Sequence, residues 1–161
     1  MNDIMNSKDY MTFLNDIKKD IQTSRVRAAL AVNQELILLH WRIGKGLLEK
    51  QSEKDWDASC VKQLSVDLLH DFPEISAFLP ADLKTMCIFA GHFTDDEIVA
   101  QKIEYMPWDY LRCLLNTFDS KQIISWYVQK CLEANWDLEA LNNAVAEKIH
   151  ISGMDQANAR Q

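Results

Sequence analysis

Apolar residues recur along this chain at spacings of three, four and seven, the period of an amphipathic helix, and almost nowhere in sustained alternation. Ser7 can cap a first helix whose Tyr10, Phe13, Ile17 and Ile21 form one stripe. Thr23 or Ser24 then offers a new start, and the spacing predicts a long helix from there to about Gln51. Two faces of that helix are apolar. Val26, Leu30, Ile37, Trp41, Gly44 and Leu48 make one; Val32, Leu36, Leu39, Ile43 and Leu47 make the other. Two such faces over about 28 residues, roughly 42 Å of helix, exceed what one small core covers. Either the first helix or another subunit is expected against one of them. Gly44 and Gly46 each cost about 1 kcal/mol relative to alanine inside a helix, so a close helix crossing is expected there.

The remaining helices announce their own ends. Asp57 caps a helix bearing Val61, Leu64, Leu68 and Leu69, which stops before Pro73. Pro80 suits the first turn of the next, which runs to Gly91. Thr94 and Glu97 have capping-box spacing for a short helix to about Ile103. Asp119 or Ser120 and then Asp137 cap two later ones. A short hairpin near residues 101–108 is the one place where a strand pair would fit. The fold expected is all-α or nearly so: a multi-helix bundle with a long N-terminal helix and a helix-turn-helix or winged-helix-like middle. Residues 1–55 form a helical arm, 56–150 a compact helical domain continuous with it, and 151–161 a polar tail that frays.

Composition narrows the function classes. The chain has 161 residues, 48% of them hydrophobic, with only 4 Gly and 3 Pro, which favours long helices over a turn-rich β fold. No apolar run of about 18 residues is present, so no membrane span is expected. The opening MNDIMNSKDYM is unlike a secretory signal. Cys60, Cys87, Cys113 and Cys131 are widely spaced in apolar helical patterns and read as free thiols in a reducing cytoplasm. Net charge is −7, and between residues 56 and 100 only Lys62 and Lys84 stand against eight carboxylates. Nucleic-acid affinity draws on cations that neutralise phosphates, so basic side chains would have to converge from elsewhere. Lys18, Lys19, Arg25 and Arg27 around the first helical junction are the candidates.

Catalytic patterns are weak. Cys87 and His92, five apart, are the one close pair of cysteine and histidine, with His40, His70 and His150 isolated, so neither metal nor cofactor is expected. No GxSxG elbow occurs. Asp16-Ile17-Lys18 and Asp82-Leu83-Lys84 have the bare D-x-K spacing of metal-dependent nucleases, yet both fall in helical patterns. No small-molecule substrate or membrane partner is indicated.

The run HWRIGKGLLEKQ from His40, then Trp56, LSVDLLHDFP, AFLPADLKTM, MPW, WYVQKCLEANW and LEAL, resembles the N-terminal helical domain of the YhcG-type PDDEXK nucleases. The resemblance covers about residues 15–150, and the nuclease domain that normally follows is not in it. The chain departs from the family at Leu79, Cys87 and Asp137-Leu138, where a serine, a basic residue and a Ser-Arg pair are usual. By resemblance this is a non-catalytic DNA-binding module reading through the Pro80–His92 helix. Lys84 and Thr85 would make the contacts, with Lys18, Lys19, Arg25 and Arg27 steadying them. The alternative is a protein-interaction module, pairing with itself or with a family nuclease through Leu30, Ile37, Trp41, Gly44 and Leu48.

Overall fold

The computed structural model describes residues 7–159, with side chains described to residue 155. The first six residues, part of the stretch read above as unlike a secretory signal, lie outside the described residues. Helix α1 spans Lys8–Gln51 without interruption, 44 residues or about 66 Å. Ser7 caps it by accepting a hydrogen bond from the Tyr10 amide at 3.1 Å. The restart expected at Thr23 or Ser24 does not occur. Neither proline nor glycine lies between Ser7 and Gly44, so nothing breaks the i→i−4 ladder, and Ser and Thr are tolerated in mid-helix.

The other elements follow their caps. Helix α2 (Ala58–Asp71) starts at Asp57, and a 3-10 turn (Ser76–Phe78) leads to α3 (Pro80–His92), with proline in its first turn. Thr94 and Glu97 close a capping box on α4 (Asp95–Ala100). A second 3-10 turn, Ile103–Tyr105, replaces the expected hairpin and is entered through Lys102 at φ 58°. Then come α5 (Trp108–Thr117), α6 (Lys121–Ala134) capped by Ser120, α7 (Leu138–Ala146) capped by Asp137, and α8 (His150–Ala159). The described residues contain eight α-helices and no strand, an all-α fold. A wing is therefore absent among them.

Helix α3 is the hub. It is apolar on most sides, as a helix buried among others must be, and Leu83, Met86 and Phe89 are wholly buried. The second half of α1 lies across it, bringing Ile37, Trp41 and Leu47 into the same core. Leu111 and Leu114 of α5 and Ile124 and Tyr127 of α6 complete it. Three polar contacts fix α1 on this body. Asn33 donates to the carbonyls of Glu104 and Met106, both at 3.1 Å. The Trp41 indole donates to the Phe93 carbonyl at 2.7 Å, pinning the end of α3. At Gly44 the helices touch so closely that a Cβ would overlap the Met86 carbonyl oxygen.

Where the sequence predicts a polar tail from residue 151, the described residues His150–Ala159 form α8. The Tyr127 hydroxyl lies 2.7 Å from His150 Nδ1, and the edge of the Trp126 ring fills the space where a Gly153 Cβ would stand. Helix α8 thus seats on α6, and its first turn belongs to the body.

Candidate interaction surface

Helix α3, the expected reading element, turns most of its side chains inward. Thr85 is 2% exposed, and its hydroxyl lies 3.0 Å from the Ala81 carbonyl and 3.1 Å from Asn116 Oδ1. Asp82 is buried and faces Arg112 at 3.4 Å; Arg112 also holds Asp109 at 2.9 Å. Of the residues expected to contact nucleic acid on this helix, Lys84 alone is exposed and Thr85 serves the interior. The same placement takes Asp82 away from any D-x-K metal site.

Lys18, Lys19, Arg25 and Arg27 are all exposed, on the N-terminal half of α1. At about 100° per residue they point to several sides of the helix and do not form one basic stripe. Their carrier is a projecting arm. From Met11 to Val32 every residue except the half-buried Leu14 is exposed, including Phe13 at 64%, Ile17 at 40%, Ile21 at 48% and Val32 at 69%. The Asn33 side chain, next along the helix, is hydrogen-bonded to the body through the Glu104 and Met106 carbonyls. The five residues expected at a subunit interface divide accordingly. Ile37, Trp41 and Gly44 are covered within the chain by α3 and its flanks, Leu48 is half-buried near Gly91, and Leu30 is exposed.

The model of one family, the DUF1016 N-terminal domain, matches residues 16–151. The chain belongs to this family. No curated protein and no solved structure matches it. The match agrees with the resemblance drawn from the tryptophan-rich run. Only the N-terminal domain of the family is found, and no catalytic domain is evident. Matched residues begin inside the arm and end in the first turn of α8, so arm and body are both part of the DUF1016 N-terminal domain.

The body of this DUF1016 N-terminal domain offers two further features. An apolar groove of about 460 Å3 opens between α1, α2 and α3, lined by Leu47, Trp56, Val61, Pro80, Leu83 and Cys87. Lys62 and Lys84, the two cations of the acidic middle third, both reach it. The second is His40, wholly buried and edge-on to Trp108 with ring centroids 4.5 Å apart. Burial lowers its pKa from 6.5 to about 4, against the opposing pull of Asp82, so His40 is neutral near pH 7.

Nucleophile chemistry finds little support in these surroundings. Burial raises the thiol pKa of Cys87, Cys113 and Cys131, the last to about 11, the direction opposite to thiolate activation. No group of three or more metal-type ligands gathers among the described residues. Nor is any helix among them long and apolar enough to cross a membrane.

The stripe read from the sequence as Tyr10, Phe13, Ile17 and Ile21 does not stop at a helix end: Tyr10, Leu14, Ile17, Ile21, Ser24, Ala28 and Ala31 follow one another at spacings of four and three, and the body leaves them uncovered. That is the heptad rhythm of a helix that pairs with another helix.

Proposed function

We propose that this DUF1016 N-terminal domain is a non-catalytic docking module. Its helical body holds α1 rigidly by one end and presents the other end to a partner helix. The observation that carries this reading is the stripe on residues 10–32, where Phe13, Ile17, Ile21 and Val32 stand in water with no element of the body against them. Soluble proteins seldom leave a contiguous apolar surface uncovered unless something docks there. A helix whose apolar residues recur at three and four is read by another helix or a hydrophobic groove.

The test is a photo-crosslinking amino acid placed at Ile17, with Val26 on another side of the arm as control, in cells that express the full chain. Residue 17 should give discrete protein adducts and residue 26 few. Equal labelling at both positions would refute docking through this stripe.

DNA binding, the expectation carried by the family resemblance, is the second reading. The exposure of Lys84 beside Lys62 favours it. It requires an affinity for duplex DNA that falls steeply with salt and weakens on Lys84→Glu. A salt-independent or absent response would exclude it.

A further inference from the structure

Resting on the docking reading, we infer that the partner of the arm is the arm of a second copy of this chain, lying antiparallel to it. Leu14, Ile17 and Ile21 of one copy then face Ala31, Ala28 and Ser24 of the other. The argument begins with an asymmetry along the stripe. Its first half is large (Tyr10, Leu14, Ile17, Ile21) and its second half small (Ser24, Ala28, Ala31). Helix axes approach to about 8–10 Å depending on the side chains between them. Laid parallel, two arms would be held apart at one end and drawn together at the other, with Glu35 set against its own copy. Laid antiparallel, the Leu14–Ala31, Ile17–Ala28 and Ile21–Ser24 layers each join a large residue to a small one, their spacing is even, and Glu35 meets Tyr10 at the end.

Self-pairing explains the flanks as well. In this register the two-fold axis falls between Gln22 and Thr23. Along one edge Met11 lies against Val32 of the second copy, two side chains that are 44% and 69% exposed in the single chain. Along the other edge Asp20 lies against Arg27 of the second copy. Lys18 meets Arg25 of the second copy, so one attractive and one repulsive pair each occur twice, and their salt dependences offset. An arm made for a different helix would have no reason to be complementary to its own reverse.

Geometry and size permit the pairing. At about 100° per residue, Ile17 and Ile21 lie on the side of α1 opposite Ile37 and Trp41, the residues that face the body. The second copy therefore approaches from the open side. Contact over residues 10–35 is about 39 Å long; across a helix about 10–12 Å in diameter it covers on the order of 450 Å2 per copy. That makes roughly 900 Å2 in all, in the range of weak, transient interfaces, so the dimer should dissociate on dilution.

Sedimentation of the full chain tests this. The expected mass is twice 18.6 kDa at high concentration, changing little as salt rises. Ile17→Glu with Ile21→Glu should abolish the doubled mass, and Val26→Glu should leave it. A photo-crosslinker at residue 17 should attach to the segment around Ala28 of the second copy. Attachment around residue 17 of the second copy would overturn the antiparallel register. A chain that stays at 18.6 kDa throughout, with adducts in cells only to other proteins, would overturn self-pairing and leave docking intact. No adduct of any kind would overturn both.

Discussion

Gly44→Ala and Gly46→Ala differ by two positions on one helix and should move stability in opposite directions. Either exchange gains roughly 0.5–1 kcal/mol from the restricted backbone of the unfolded chain and the better helix former. At Gly46 nothing within 4 Å meets the added methyl, so that gain stands alone. At Gly44 the methyl would overlap the Met86 carbonyl oxygen and stand 3.1 Å from the Cys87 nitrogen. Those are backbone atoms of a helix wedged between α1 and α5, so no rotamer change relieves the clash. Relief requires α1, with its wholly buried Ile37, to lift away from Leu83 and Met86 of α3, which are wholly buried as well. Overpacking of that kind costs about 1–3 kcal/mol and occasionally more. Set against the propensity gain, Gly44→Ala should lose about 1 kcal/mol or somewhat more. In a domain of this size that lowers Tm by roughly 2–4 °C, whereas Gly46→Ala raises it by about 2 °C. Urea and thermal melts at one fixed protein concentration measure both, since self-association makes Tm depend on concentration. Equal shifts of the same sign for the two variants would refute the close α1–α3 crossing.

The buried histidine makes stability depend on pH. With the folded pKa of His40 at about 4 and the free value at 6.5, the unfolded chain takes up a proton first. Stability is therefore complete well above pH 6.5 and falls on acidification through that value toward pH 4, by about 1 kcal/mol at pH 5.5. His40→Gln should flatten that part of the melt-versus-pH curve, and an unchanged slope would show that another group carries it. Trp41→Phe removes the donor to the Phe93 carbonyl and some ring volume, for a loss of about 2–3 kcal/mol by urea melts. Arg112→Met leaves the buried Asp82 carboxylate without its partner. Because Arg112 itself is nearly half exposed, the cost is about 1–2 kcal/mol, restored in the Asp82→Asn, Arg112→Met pair if the ion pair is what matters.

Helix ends were legible because a cap is a local device. Ser7, Asp57, Thr94 with Glu97, Ser120 and Asp137 each satisfy amides within three residues, and each occupies the role its spacing predicts. The close crossing expected at Gly44 is likewise present. Long-range placement was not legible. Thr85 read as a contact group on a reading helix and Asp82 as half of a D-x-K spacing, yet both turn inward to partners, Asn116 and Arg112, that lie 31 and 30 residues onward. Helix α8 depends on Tyr127 and Trp126, again distant in the chain. Thr23 and Ser24 looked like a cap because the same side chains serve at helix starts and inside helices. Which of the two apolar faces of α1 is covered depends on where α3 lies, and the periodicity of α1 alone carries no information about α3.

Uncovered and solvated on all sides, the arm owes its order to the body. Starting a helix is the unfavourable step, and adding residues to an existing one is nearly free for good helix formers. Packing of Ile37, Trp41 and Gly44 on α3 supplies the nucleus, and the chain from Val32 back to Lys8 propagates from it. The consequence is preorganisation: a docking partner meets a helix already formed and does not have to order one. Ala29→Pro tests this link. Residue 29 is exposed and outside the body, but a proline ring there would clash with the Arg25 carbonyl and break the ladder. Beyond the break roughly 20 residues, cut off from their nucleus, should lose helical signal by far-UV circular dichroism. The tryptophan fluorescence of the body should melt as before, because Trp41, Trp108, Trp126 and Trp136 all lie in it. Crosslinking from residue 17 should collapse in the same variant. An arm that kept its helicity on the far side of that proline would show that something other than the body holds it in shape.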